Sequence, residues 1–215
     1  MDQSLIIQQV EQYVKMKLAN DFSGHDWWHI ERVRKSAKTI AHEENADLFV
    51  CELAALLHDV ADEKLFGDEE QGLREIRSWL EEHGVSSSIN DHVIEIIASM
   101  SFKGGARPPM RTLEGRVVQD ADRLDAIGAV GISRVFAYSG AKGRPVFDPD
   151  IKPRTQMTKE EYRSGNDTAI NHFHEKLLKL KDLMNTDYGR RMAEQRHTYM
   201  LAFLEQFHLE WEGKA

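Results

Sequence analysis

Apolar residues recur at helical spacing along almost the whole of this sequence. The first stripe lies within residues 4–19 and the last within residues 187–211. Positions three and four apart share one face of an α-helix, whereas a half-buried strand alternates every second residue. Alternating, β-branched runs are few. The pattern therefore predicts an all-α fold.

The stripes also predict where the helices lie. Asp26 and Asp47 each precede a stripe and can cap its first turn. Residues 139–157 are predicted to form the longest loop, since all five prolines lie between 108 and 153. The predicted helices cover residues 4–19, 27–42, 48–59, 69–83, 88–99, a segment from about 112, a segment after Gly128 ending near 138, 158–184 and 187–211.

Length and composition indicate one globular domain spanning residues 1–215. Its 41% apolar and 30% charged residues are ordinary for a soluble protein. The lone cysteine, Cys51, cannot form an intrachain disulfide, and its apolar surroundings predict a buried thiol. No apolar run approaches the roughly 20 residues of a membrane span, and no signal peptide precedes the first helix. These features predict a cytoplasmic protein.

The charge distribution argues against a nucleic-acid polymer or an anionic membrane as partner. With a net charge of −8, the chain is not expected to have the basic face that such binding needs. Residues 101–154 nevertheless hold 10 Lys or Arg against 6 Asp or Glu, a local balance of +4. This basic segment in an acidic chain predicts a small anionic ligand.

Polar residues interrupt three of the predicted apolar faces. His29, His58 and Asp122 each stand one helical turn from an apolar residue of their stripe, and Asp59 follows His58 directly. A single buried histidine is usually a satisfied core residue, but a buried carboxylate needs a partner or a cation. Nitrogen and oxygen donors without a thiolate suit Mn, Mg, Co, Ni, Fe or Zn. The joint pattern predicts one divalent metal ion.

Three motifs carry a resemblance to a known family. They are HisAspTrpTrpHisIleGluArgVal (25–33), LeuLeuHisAspValAlaAspGlu (56–63) and AspAlaAspArgLeuAspAlaIleGly (120–128). Over about residues 25–135 the chain resembles the HD-domain metal-dependent phosphohydrolases. The resemblance implies a helical bundle with additional C-terminal helices at about 158–212, and manganese as the first choice of metal. It implies as metal ligands His29, His58, Asp59 and Asp122.

Other histidines provide alternatives to this ligand set. His25 also precedes the tryptophan pair, but the family's first ligand falls within the helix, which favours His29. Members of the family that bind two metals carry further histidines between the HisAsp pair and the last Asp. Only His83 and His92 lie in that interval here. A mononuclear site is therefore predicted.

The same resemblance implies how the reaction is assisted. Asp62 and Glu63 lie about one helical turn after the HisAsp pair, where HD nucleotide hydrolases use paired acids in catalysis. Cations would stabilise the phosphoryl oxygens of the transition state. Lys142 and Arg144 are the first choices, because Gly140 and Gly143 give their loop the freedom to close over phosphates. The candidate substrate-binding cations are Lys64, Lys103, Arg123, Arg134, Lys142 and Arg144.

Within the family, the first and third motifs are most similar to the small bacterial group that includes YpgQ and YedJ. This similarity implies a nucleoside triphosphate pyrophosphohydrolase that releases nucleoside monophosphate and pyrophosphate. Alternatives within the family are a 5'-nucleotidase, a triphosphohydrolase, a cyclic-nucleotide phosphodiesterase and a di-iron oxygenase. A helical regulatory protein with a structural metal is the non-enzymatic alternative. The aromatic-rich C-terminal helices would either close the core or form a homodimer face.

Overall fold

The computed structural model of the protein describes residues 2–19, 26–61, 68–100, 109–154 and 167–215. These residues form α-helices and one 3-10 helix, with no strand among them, so the predicted all-α class is confirmed. A 3-10 helix spans Leu177–Leu183. The α-helices are α1 (Gln3–Lys17), α2 (Trp27–Glu44), α3 (Leu48–Leu57), α4 (Glu69–Glu82), α5 (Ser87–Met100), α6 (Leu113–Asp125), α7 (Gly128–Ala141), α8 (Ala169–Glu175) and α9 (Asp187–Trp211).

Two predicted capping residues determine where α2 and α3 begin. The Asp26 carboxylate accepts a hydrogen bond from the backbone N–H of His29 at 2.9 Å. The Asp47 carboxylate accepts from the N–H groups of Phe49 and Val50 at 2.9 and 3.1 Å. Each carboxylate thereby satisfies donors that the first turn of a helix leaves free. Both predicted caps are confirmed.

Helix α3 lies at the centre of the first of two compact units, Met1–Asp122. It packs against α1, α2 and α5, and every residue of Phe49–Leu57 is buried. The sequence predicted a single apolar face, but a helix surrounded by others is buried on all sides. Cys51 is buried as predicted, and burial raises the pKa of its thiol. This helix brings the HisAsp pair to the middle of the unit.

The second compact unit, Arg123–Ala215, contains α7, α8, the 3-10 helix and α9. Helix α7 packs against α8 and α9, and the 3-10 helix packs against α8 and α9. Within the described part of residues 158–184, the predicted continuous helix is wrong: α8 ends at Glu175. The buried residues Leu177 and Leu180 stand three apart, which fits the 3-10 period. The prediction of one domain over the whole chain remains a prediction.

Helix α7 extends to Ala141, so the predicted loop from residue 139 begins later than expected. Residues 155–157 of that loop, and residues 158–166 of the predicted helix, lie outside the described ranges. Among the described residues, no helix has both the length and the hydropathy needed to cross a bilayer.

Two glycines of α7 allow a matched test of its packing. A Cβ added at Gly131 would collide with the carbonyl oxygen of Ala126, whereas one at Gly140 would meet nothing within 4 Å. Gly131→Ala is therefore expected to lower the free energy of unfolding by about 1–3 kcal/mol. Gly140→Ala is expected to raise it by about 0.5 kcal/mol through helix propensity. Urea unfolding followed by far-ultraviolet circular dichroism measures both, and equal effects would contradict the packing argument.

Candidate metal centre

His29 reaches the interior of the first unit from the first turn of α2. Its backbone is held by the Asp26 cap, and its side chain is only 2% exposed. The helix places His29 on the same face as the buried residues Ile30 and Val33. The predicted inward orientation of this imidazole is confirmed.

His58 follows the last residue of α3 and is oriented by the main chain. Its Nδ1 lies 2.9 Å from the carbonyl oxygen of Ala55. A carbonyl oxygen can only accept, so this hydrogen bond requires a proton on Nδ1 and leaves a lone pair on Nε2 of the neutral ring. Nε2 is buried and has no hydrogen-bond partner among the described residues. A buried imidazole nitrogen of this kind is available as a ligand.

Two carboxylates approach the paired imidazoles. Asp59 Oδ2 lies 3.3 Å from His29 Nε2, and Asp59 Oδ1 lies 3.5 Å from His58 Nε2. Asp122 Oδ1, from α6, lies 3.6 Å from His29 Nε2 and 3.9 Å from His58 Nε2. The ring centroids of the two histidines are 5.3 Å apart. Side chains from three separate parts of the sequence therefore meet at one place.

Three residues of this cluster have a composition and spacing that suit a divalent ion. One donor atom from each of His29, His58 and Asp59 lies within 4.8 Å of the other two, so these residues could hold a metal ion. The side chains of Asp59 and Asp122 are 15% and 40% exposed, whereas both imidazoles are almost fully buried. The histidines thus form the protected side of the cluster, and the carboxylates face solvent. Four donors would leave two positions of an octahedral shell open.

Asp62 and Glu63 lie outside the described residues, as do the candidate cations Lys64 and Lys103 and the alternative ligand His25. Their roles remain predictions.

Two of the predicted substrate-binding arginines hydrogen-bond to their own chain. In the second unit, Arg123 donates to the carbonyl oxygen of Leu183. Arg134 donates to the carboxylate of Asp125, a residue that is itself buried. Both cations are therefore engaged in contacts that hold helix ends.

One ion pair and two backbone hydrogen bonds hold the loop that carries Lys142 and Arg144 against the start of α8. Arg144 Nη1 lies 3.0 Å from Asp167 Oδ1, and the carbonyl oxygens of Pro145 and Val146 accept the first two N–H groups of α8 at 3.0 Å. Lys142 is exposed, with its Nζ 5.8 Å from the centroid of the Tyr138 ring. Arg144 is thus paired with Asp167 in this structure, and the closure of this loop over phosphates remains a prediction.

A second arginine, Arg154, also pairs with α8. Arg154 donates to both carboxylate oxygens of Glu175, at 2.9 and 2.7 Å. Nearby, His172 is shielded from solvent, and burial lowers the pKa of its imidazole to about 4. The sequence analysis did not identify this ion-pair group, because its members are spread over 32 residues with no periodic signal.

The two histidines considered for a second metal lie in other surroundings. His83 stacks on Trp79, with ring centroids 3.6 Å apart, and its Nδ1 contacts the Trp79 carbonyl oxygen at 2.7 Å. His92 Nε2 lies 3.7 Å from a carboxylate oxygen of Glu114. Neither belongs to a group of three or more candidate donors among the described residues. The mononuclear site remains a prediction.

A charged group that joins α1, α2 and α3 was not predicted from the sequence. Arg34 of α2 reaches Glu52 of α3 at 2.7 Å and Glu11 of α1 at 2.6 Å. Burial lowers the pKa of Arg34, but the hydrogen bonds and charges of these carboxylates outweigh it and raise the pKa overall. This group links α2, which carries His29, to α3, which ends directly before His58. The available signal was Glu52, the only charged residue in the apolar run 48–57.

Comparisons with known proteins identify the family of this chain. The family model described as the HD domain matches residues 27–127. The uncharacterized protein YpgQ of Bacillus subtilis is 42% identical over 209 residues, covering 96% of this chain and 94% of that protein. The crystal structure of an HD-superfamily hydrolase from Bacillus thuringiensis is 48% identical with a TM-score of 0.81, over 98% of both chains. That of Bacillus subtilis YpgQ in complex with ADP is 41% identical with a TM-score of 0.78, over 97% of this chain and 100% of that one. The chain therefore belongs to the HD-domain superfamily of hydrolases, in the group that includes YpgQ.

Proposed function

We propose that this protein is a metal-dependent pyrophosphohydrolase of nucleoside triphosphates. One observation carries the proposal: the carboxylates of Asp59 and Asp122 each approach the Nε2 atoms of both His29 and His58, at 3.3–3.9 Å, and the buried Nε2 of His58 makes no hydrogen bond within the described residues. The ADP bound in the crystal structure of YpgQ supports a nucleotide as the substrate. Manganese is the proposed ion, and the cytoplasm is the proposed location.

The proposed ligands of the ion are His29, His58, Asp59 and Asp122. When bound, a divalent ion would polarise a phosphoryl oxygen and lower the pKa of a coordinated water. His29 and His58 would provide neutral nitrogen donors on the buried side. The partly exposed carboxylates would offset the positive charge and leave the solvent side open for phosphate.

The remaining residues would move a proton and hold the phosphates. In the proposed reaction, the oxygen of water bonds to the α-phosphorus, the bond to the bridging oxygen breaks, and pyrophosphate leaves. Asp62 or Glu63 would accept the proton of the attacking water. Lys64, Lys103 and the exposed Lys142 would contact phosphate oxygens as point charges. Arg123, Arg134 and Arg144 would have to exchange their present contacts to do the same.

The products of hydrolysis test this proposal. The protein is stripped of metal, reloaded with Mn²⁺, and incubated with ribo- and deoxynucleoside triphosphates, and the phosphate products are separated by ion chromatography. Equal amounts of monophosphate and pyrophosphate are expected, with no turnover by the stripped protein.

Each other outcome points to a different reaction. Tripolyphosphate as product would identify a triphosphohydrolase and overturn attack at the α-phosphorus. Inactivity on triphosphates with activity on monophosphates or cyclic nucleotides would indicate a 5'-nucleotidase or a phosphodiesterase. Inactivity on all of them, with unchanged stability after metal removal, would favour the regulatory alternative. Size-exclusion chromatography with light scattering tests the proposed homodimer.

A further inference from the structure

The two adjacent tryptophans at the start of α2 have opposite environments. Trp27 is partly buried, and the ammonium group of Lys15 lies over its ring, 4.3 Å from the centroid. Trp28 is 65% exposed, and its indole makes no hydrogen bond or ring contact with the described part of the chain. Exposed indole is the largest apolar surface that a single side chain can present to water. Trp28 is therefore a candidate for contact with a ligand.

Trp28 is attached directly next to a proposed metal ligand. It is the residue before His29, and consecutive Cα atoms are only about 3.8 Å apart. Successive side chains on a helix differ by about 100°, so the indole leaves the helix in another direction than the buried imidazole. The Asp26 cap fixes this first turn, because it holds the backbone N–H of His29. The indole is thus exposed on a capped first turn, one residue before a proposed ligand.

The charges of the cluster favour an aromatic contact for the part of the ligand that carries no charge. The metal and the cations would engage the phosphates, while Asp59 and Asp122 already line the exposed side. A neutral π-face recognises a nucleobase without adding charge, and stacking on an aromatic side chain contributes about 1–3 kcal/mol per base. A larger base covers more of the indole and stacks more strongly.

We propose that Trp28 stacks on the nucleobase of the substrate and makes the enzyme prefer purine over pyrimidine nucleotides. This inference rests on the proposed function, since it requires that the phosphates of the same molecule meet the His29–His58 cluster. It assigns a role to Trp28, a residue that the metal chemistry leaves unused.

Tryptophan fluorescence tests the stacking without turnover. The Mg²⁺-loaded protein is titrated with the α,β-methylene analogues of ATP and CTP, which cannot be cleaved at the α-phosphorus. The adenine analogue is expected to quench the fluorescence at lower concentrations than the cytosine analogue. The quenching should vanish in Trp28→Phe and persist in Trp211→Phe, a matched control because Trp211 is also exposed, at 51%.

Kinetics separate stacking from a structural role. Trp28→Ala is expected to raise the KM for ATP by about 10-fold with little change in kcat, while Trp28→Phe recovers most of the loss. Tripolyphosphate, which has no base, should inhibit wild type and Trp28→Ala equally. If the inhibition constant of tripolyphosphate rises in Trp28→Ala by the same factor as the KM for ATP, the inference is overturned, because the variant would then have damaged the phosphate site.

The two hypotheses fail in distinguishable ways. Wild-type protein that hydrolyses no triphosphate would contradict the proposed function, whatever Trp28 does. Nucleotide-dependent quenching that persists in Trp28→Phe, or that is absent from wild type, would overturn the stacking even in an active pyrophosphohydrolase.

Discussion

Replacing His58 with asparagine is expected to weaken Mn²⁺ binding drastically while leaving the fold unchanged. The asparagine amide nitrogen can take the place of Nδ1 and donate to the carbonyl oxygen of Ala55, but it provides nothing in place of Nε2. Because even outer-shell partners contribute roughly 10- to 100-fold to metal affinity, loss of a direct donor should cost more than about 100-fold. Hydrolysis at limiting Mn²⁺ should fall by a similar factor and recover in part at high Mn²⁺. Isothermal titration calorimetry measures the affinity.

His83→Asn is the matched control for this variant. The Nδ1 of His83 also contacts a backbone carbonyl oxygen, that of Trp79 at 2.7 Å, but its ring stacks on tryptophan instead of facing carboxylates. The same chemical change there should leave Mn²⁺ affinity unaltered. Wild-type affinity in His58→Asn, or an equal loss in both variants, would contradict the proposed ligand role of His58.

Replacing Arg34 with methionine is expected to destabilise the first unit by about 3 kcal/mol. The change removes the cation 2.7 Å from Glu52, whose side chain is only 9% exposed. Glu52 would keep only Lys38, at 3.1 Å, and the Lys38 side chain is largely in water. An almost buried carboxylate that loses its main partner retains the full cost of desolvation. Urea unfolding measures the effect as a lower midpoint.

Two further variants separate this mechanism from a general loss of charge. Lys35→Met removes an exposed cation from its i,i+4 pair with Glu31 and should change the free energy of unfolding by less than about 0.5 kcal/mol. Arg34→Met combined with Glu52→Leu should recover most of the stability, because apolar pairs often replace buried ion pairs at little cost. A double variant as unstable as Arg34→Met would mean that the arginine acts through its other contacts.

The helices were predictable from sequence where one face of each is buried. Apolar period and capping residues located α1, α2, α4, α5 and α9 to within a few residues. The inward positions of His29 and His58 followed from the same periodicity, since each continues an apolar stripe. Local signals are sufficient for such elements, because a single contact face defines them.

Features that depend on tertiary surroundings were not predictable. Helix α3 is buried on all sides because three helices surround it, and the apolar periodicity of its own sequence does not indicate them. Helix α8 ends at Glu175, whose carboxylate pairs with Arg154, 21 residues away in sequence, and local periodicity gives no signal of that contact. The contacts of Arg134 and Arg144 likewise depend on carboxylates that composition alone cannot pair with them.

The orientation of His58 is protected against mutation of the neighbouring side chains. The atom that selects its tautomer is the main-chain oxygen of Ala55, which persists whatever side chain occupies that position. Substitutions around the ring can therefore change its packing, but not the partner of Nδ1. Substitutions that alter the proposed metal site are therefore expected to act through its more exposed carboxylate, Asp122, sooner than through the orientation of His58.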